Sequence, residues 1–176
     1  MKKRILEELE RCSPEEFKRK KKIPCTFLLE NIRSLLNVGS AFRTADAFLI
    51  EKIILAGFTG TPPHREIQKT ALGATESVDW EYYEKSTSIL SQLKQEGYII
   101  IAIEQTDQSI SLLEFQPKKE EKYCFIFGNE VAGVSEEALQ YVDSSIEIPQ
   151  YGTKHSLNIS VAVGIIAWDF VTKYSI

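Results

Sequence analysis

Three clusters in the chain combine residue types that could do chemistry. They are Asn37, Gly39 and Arg43; Gly128, Asn129, Glu130 and Gly133; and Ser156, Leu157, Asn158 and Ser160. Each lies between a segment of strand character and a helical pattern. In open α/β sheets such loops collect ligands, because backbone N–H groups and helix N-termini face outward at the carboxyl ends of strands. A guanidinium such as that of Arg43 binds anions and stays protonated in proteins. Its i, i+4 spacing from Gly39 puts both on one helix face. Each cluster also has a purely structural account. Asn37 and Ser156 suit helix N-caps, and Gly128 and Gly133 suit turns with positive φ.

Several familiar chemistries lack their signatures. No G-x-G-x-x-G follows a strand and no G-x-x-x-x-G-K-[ST] occurs, so neither a Rossmann dinucleotide site nor a P-loop is supported. There is no G-x-S-x-G, and neither His64 nor His155 sits in a triad setting. Cys12, Cys25 and Cys124 are odd in number, widely separated and without a C-x-x-C pair. That argues against a zinc site or a disulfide framework, and for reduced cysteines with Cys25 and Cys124 on buried strands. No metal is expected.

The elements that must position these clusters alternate between strand and helix. Residues 2–11 fit a short helix with Ile5, Leu6 and Leu9 on one face. Ser13-Pro14-Glu15-Glu16 reads as a capping box opening a second helix, which carries Phe17 and is stopped by Pro24. Cys25–Leu29 reads as the first strand of the main domain, Glu30–Ser34 as a polar loop, and Leu36–Phe48 as a helix capped by Asn37. Arg43 is then expected in its first two turns. Further strands are expected at 52–56, 77–83, 98–103, 122–127 and 145–148. Helices are expected at 65–72, 86–96 and 157–173, and Ser111–Leu113 as a short helical turn. Tyr98–Ile103 is continuously apolar, as a buried parallel strand requires. The pattern predicts a layered α/β domain on a parallel sheet. It divides into a basic helical extension over 1–24 and a main domain over 25–176.

The 176 residues suffice for one full-sized core, and 43% hydrophobic with 26% charged residues is ordinary for a globular protein. No apolar run is long enough to span a bilayer, and Glu7, Glu8 and Glu10 interrupt any signal-peptide core. A cytoplasmic protein is expected, without a membrane partner. The net charge of −4 is unevenly spread. Residues 1–24 hold nine lysines and arginines against five glutamates, whereas the rest holds twelve basic against twenty acidic residues. The basic run Lys18, Arg19, Lys20, Lys21 and Lys22 suits either an arm that meets a polyanion or a solvated helix face.

Together, in this order, the clusters resemble the SpoU (TrmH-like) branch of the SPOUT RNA 2′-O-ribose methyltransferases. The first motif resembles N-x-G-x-x-x-R-T-A-D-A-F over Asn37–Phe48. The second resembles F-G-N-E-x-x-G-[VL]-S over Phe127–Ser135. The third resembles I-P-x-x-G-x-x-x-S-L-N-x-S-x-A over Ile148–Ala162. Lys69–Ala74 is similar to the family's connecting piece, where Ser-Ala-Gly-Ala is commoner. The match covers roughly residues 25–172.

The resemblance implies a C-terminal deep trefoil knot over roughly 122–173, an exception to un-knotted connections. It implies S-adenosylmethionine as cofactor, held by Phe127, Gly128, Asn129, Glu130, Gly133, Ile148, Pro149, Ser156, Leu157 and Asn158. It also implies a homodimer with RNA across the subunit interface, and transfer of a methyl group to a ribose 2′-hydroxyl. Arg43, Asn37 and Asn158 take the catalytic roles. A general-base role for Arg43 conflicts with a permanently protonated guanidinium. A contact to RNA phosphate and to charge on the 2′-oxygen suits it better. Arg33, Arg43, Lys18, Arg19, Lys20, Lys21, Lys22, Tyr151 and His155 are the expected RNA contacts, with tRNA ahead of rRNA as substrate. Two alternatives stay open. One is a non-catalytic RNA-binding or assembly protein on the same fold, and the other is a SPOUT enzyme that methylates a base.

Overall fold

The computed structural model describes Met1 and residues 12–175. The helix expected over residues 2–11 lies outside the described residues. The helix at the start is α1, Pro14–Arg19, and its capping box is formed: Ser13 Oγ accepts the Glu16 N–H, and a Glu16 carboxylate oxygen accepts the Ser13 N–H at 2.8 Å. After it come β1 (Ile23–Glu30), α2 (Leu35–Ala47), β2 (Ile50–Ala56), α3 (Arg65–Ala71), α4 (Ala74–Ser77) and β3 (Asp79–Tyr83). The second half holds α5 (Ser86–Gln95), β4 (Tyr98–Ile103), β5 (Ile110–Ser111), β6 (Lys122–Phe127), α6 (Glu136–Leu139), β7 (Ser144–Glu147) and α7 (Ile159–Ser175).

The seven strands form one sheet, ordered β3-β2-β1-β6-β4-β7-β5, and every pairing is parallel. The period of two splits β1 between both faces. Phe27 and Leu29 join Phe42, Phe125, Phe127 and Phe170 in a core under α2, α3 and α7. Leu28 faces the other way and packs with Ile54, Ile100, Ile126, Leu90 and Leu93 under α5. The sheet is thus buried on both faces, which is why its strands read as apolar runs.

Three local expectations change. Ser111 ends a two-residue edge strand whose Ile110 pairs with Ile146, and the expected turn follows directly: the Ser111 carbonyl accepts the Glu114 and Phe115 N–H groups at 2.9 and 3.2 Å. Glu30 belongs to β1 and is buried, so it is not part of a polar loop. Ser34 caps α2 through its hydroxyl, which accepts the Asn37 N–H at 3.3 Å, so Asn37 lies inside the first turn. Cys25 and Cys124 are fully buried on β1 and β6 as expected, and burial pushes the Cys25 thiol well up. Among the described residues, no helix is long and apolar enough to cross a membrane.

Candidate active site

The loop after β6 is fastened from three sides, and each fastening is a carboxylate. The two strands flanking β6 supply the first pair. Glu30 ends β1, is 2% exposed, and accepts the Ser135 N–H at 2.9 Å and the Ser135 hydroxyl at 2.8 Å. It also accepts the Ser86 hydroxyl. Glu104 directly follows β4 and accepts the Val134 N–H at 3.0 Å. Neighbouring amides of one loop are therefore held by the strands on opposite sides of it.

Glu130 makes the third fastening, towards the start of α2. It accepts the Arg33 N–H at 3.0 Å, the Ser34 N–H at 3.2 Å and the Asn37 side-chain amide at 3.2 Å. Burial alone would raise its pKa, but hydrogen bonds from Arg33, its own amide, Ser34 and Asn37 outweigh that and hold the carboxyl below the usual range. Inside the loop, Asn129 accepts the N–H groups of Val131 and Ala132, both at 2.9 Å, and donates to the Asn31 carbonyl at 2.7 Å. Gly133 has a φ of +71°, which L side chains rarely adopt. A Cβ on Gly128 would stand 2.2 Å from the Gly133 carbonyl carbon and the Val134 nitrogen, so only glycine fits there.

A cavity of about 330 Å³ opens between this loop and the loop after β7. Small-molecule sites span ~300–1,000 Å³, so the space is of ligand size. Ile103, Phe127, Ile146, Ile148, Leu157 and Ile159 make its apolar part. Glu104, Gln105, Asn129, Glu130 and Glu147 make its polar part. Gln105 donates its side-chain amide to the His155 carbonyl at 3.2 Å, tying the end of β4 to the second loop. An apolar slot with a few polar groups fixed by backbone contacts suits a flat heteroaromatic group with a polar tail.

Of the residues expected to hold a cofactor, Phe127, Gly128, Asn129, Glu130, Gly133, Ile148, Ser156 and Leu157 line this cavity. His155, expected at RNA, lines it too. Pro149 and Asn158 are not among its lining residues. Asn158 caps α7: its side-chain oxygen accepts the Ser160 N–H at 2.8 Å and the Ser160 hydroxyl at 2.6 Å. That role had been expected of Ser156. Asn37 reaches the cavity's edge through Glu130.

Arg43 does not reach it. The residue is exposed in the third turn of α2, not in the first two, and borders a separate depression with Ser40, Thr44, Lys69 and Thr70. Arg33 and Tyr151 are exposed, as are Lys18, Arg19, Lys20 and Lys21. Lys22 is turned inward. Its ammonium bonds the Phe17 carbonyl and lies 3.6 Å from the Phe17 ring centroid.

Sequence reasoning missed Glu30, Glu104 and Gln105. The signal for the last two was present: they are the polar residues directly after the apolar strand Tyr98–Ile103, the same strand-end position that marked the other loops. Glu30 gave none, because a glutamate before Asn31 reads as the start of a polar loop.

The SpoU rRNA methylase family matches residues 24–168. A tRNA (guanosine(18)-2′-O)-methyltransferase of Borreliella burgdorferi is 30% identical over 154 residues, which are 84% of this chain and 66% of that protein. The 23S rRNA (guanosine-2′-O-)-methyltransferase RlmB of Neisseria meningitidis is 28% identical over 143 residues, 81% of this chain and 56% of that protein. The chain therefore spans somewhat under two thirds of these relatives. Among solved structures, the AdoMet-bound rRNA methyltransferase of Sinorhizobium meliloti superposes with a TM-score of 0.78 at 25% identity, over 91% of this chain and 60% of that one.

Proposed function

The chain belongs to the SpoU rRNA methylase family, and from that premise we propose that it methylates a ribose 2′-hydroxyl of RNA using S-adenosylmethionine. The observation that carries the reading is the cavity between the loops after β6 and β7, with the first motif joined to its edge by the Asn37–Glu130 bond. The cavity's donor set fits the cofactor. Phe127, Ile146, Ile148 and Leu157 offer apolar walls for an adenine, and Gly128 and Gly133 line the cavity with no side chain between their backbone and a ribose. Bound there, S-adenosylmethionine supplies a methyl group on a positively charged sulfur.

The protein's own part is positioning and electrostatics. Glu130 holds the cofactor loop to the start of α2 and so fixes Asn37 beside the cavity. The Arg43 guanidinium binds an RNA phosphate and stabilises charge on the 2′-oxygen as its proton passes to water. Holding nucleophile and methyl group near attack distance supplies much of the acceleration.

Arg43 lies outside the cavity of its own chain, which supports a homodimer in which a second subunit completes the site. Val161 and Trp168 support the same reading. They are seven residues apart on α7, which packs on α2, and they are 48% and 63% exposed. A knotted C-terminus is supported by the contacts of the segment between β5 and β6. Leu112 donates its N–H to the Glu147 carbonyl at 2.9 Å and accepts from Lys173 at 2.8 Å, while the Glu120 N–H meets the Tyr174 hydroxyl at 3.2 Å. The segment thus lies against both β7 and the end of α7. We take tRNA as the first substrate class to test and rRNA as the second, with the basic residues 18–21 as an arm for the RNA backbone.

Transfer of labelled methyl from S-adenosylmethionine to total RNA, followed by nucleoside analysis, tests the reading. A 2′-O-methylnucleoside is the expected product. A methylated base, or RNA binding without transfer, would refute it.

A further inference from the structure

We propose that Phe58 and Tyr82 form a stacking platform for an unpaired RNA base flanking the nucleotide that is methylated. The inference rests on the functional reading above and adds to it a site that grips the substrate.

Phe58 is 64% exposed and Tyr82 47% exposed. The backbone around Phe58 is nevertheless fixed on both sides. The Phe58 N–H donates to the Asn31 side-chain oxygen at 3.2 Å. The Gly57 N–H donates to the Tyr83 carbonyl at 3.1 Å, and the Tyr82 hydroxyl donates to the Gly57 carbonyl at 2.8 Å. Thr59, 3% exposed, donates its hydroxyl to the Leu29 carbonyl and accepts the Ile32 N–H, both at 2.9 Å. A loose loop could fold an apolar ring away from water. This loop is pinned at the residues before and after Phe58 and still presents the ring. Tyr82 has its hydroxyl engaged, so its free feature is the ring face.

The position suits a substrate contact. The connection that anchors Phe58 also anchors the cavity loop: the Asn31 carbonyl accepts from Asn129, and the Arg33 and Ser34 amides bind Glu130. Platform and cavity are two ends of one hydrogen-bonded ridge along the carboxyl edge of the sheet. β2 stands two strands from β6, roughly 10 Å at ~4.8 Å per strand. Exposed Arg33 lies in the connection between them, and exposed Arg65 follows the loop that carries Phe58. Cations beside aromatic faces are the combination that holds single-stranded nucleic acid. The cations track the phosphates, and the rings accept any base. The apolar residues suited to a second subunit lie elsewhere, on α7.

The test compares wild type with Phe58→Ala, Phe58→Leu and Phe58→Trp, using total RNA from a strain that lacks the protein. Phe58→Ala should weaken RNA binding by about ten-fold or more, the order that loss of one base–aromatic stack gives. Phe58→Leu, apolar but not aromatic, should not restore it. Phe58→Trp should restore it, with indole fluorescence quenched by RNA. Cofactor affinity and sedimentation should match wild type in all three. RNA binding by the alanine or leucine variant at wild-type strength overturns the platform, and so does indole emission indifferent to RNA. A change in oligomeric state on Phe58→Ala also overturns it, because the rings then face another copy. Wild-type protein that binds cofactor but no RNA refutes the functional reading itself, and that is seen before any variant is compared.

Discussion

Glu30 offers the sharpest test of how the cofactor loop is held. Its carboxylate accepts the Ser135 N–H, the Ser135 hydroxyl and the Ser86 hydroxyl at a position 2% exposed. Glu30→Ala removes the acceptor for all three. Hydroxyls can turn to other partners, but a backbone N–H cannot, and a buried donor left without a partner costs ~1–3 kcal/mol. With the half-satisfied hydroxyls and the lost packing, the sum is about 3–5 kcal/mol. Glu30→Gln differs. Its carbonyl oxygen can accept the Ser135 N–H while its amide donates to a hydroxyl that rotates, so the loss is about one hydrogen bond, ~1 kcal/mol. At ~2–4 °C per kcal/mol for a chain of this size, melting should fall by about 10 °C for alanine and about 3 °C for glutamine. Thermal and urea unfolding measure both, and the cofactor KM should rise in the same order as the loop loosens. Alanine within about 0.5 kcal/mol of wild type would refute the reasoning, since surface substitutions do no more than that. Equal damage from both variants would refute it too, because the acceptor geometry would then not matter.

Arg43→Lys should lower kcat by about 10²–10³, as loss of a charge-stabilising donor does, while cofactor affinity by calorimetry stays unchanged. Wild-type turnover would show that a planar guanidinium is not needed. Gly128→Ala drives a Cβ into the backbone of Gly133 and Val134, 2.2 Å away. Cofactor binding should weaken by about ten-fold or more, the order that ~1–3 kcal/mol of overpacking gives. Unaltered affinity in calorimetry would remove this loop from the cofactor wall. Glu130 is held below its usual range when folded. Its latch is therefore complete above the ordinary carboxylate pKa of about 4.3 and is lost as pH falls through the lower folded value. Cofactor affinity should stay flat near neutrality and drop in acid. In Glu130→Gln that acid step should disappear, and a titration with the same step in both proteins would assign it elsewhere.

Much of this molecule could be read from its residues, and the failures share a cause. Tyr98–Ile103 and Lys122–Phe127 were placed to the residue, because a strand buried on both faces leaves an uninterrupted apolar run. The cavity loops were legible because glycines and polar residues cluster where strands end. Asn37 and Ser156 were misplaced as caps because cap preference is shared among several residue types and depends on backbone turns that spacing does not fix. Ile110–Ser111 was missed because two residues carry no periodicity. Its strand character comes only from β7 beside it. The separation of Arg43 from the cavity could not be read at all. The motif joins Asn37 and Arg43 in sequence, but the helix carries them to different faces of the subunit.

The place of β6 also has consequences for how the chain comes into being. It lies in the middle of the sheet, paired with β1 on one side and β4 on the other, yet five strands precede it in synthesis. Until Lys122–Phe127 leaves the ribosome, β1 and β4 present bare apolar edges that are templates for wrong pairing. Folding must then close contacts such as Phe27 with Phe125 across more than half of the chain, a topology that is slow and exposed to aggregation. A chain released after Glu121 should stay protease-sensitive and be held by chaperones, whereas the chain through α7 should become resistant. Resistance in the shorter chain would mean that the first five strands fold without their centre.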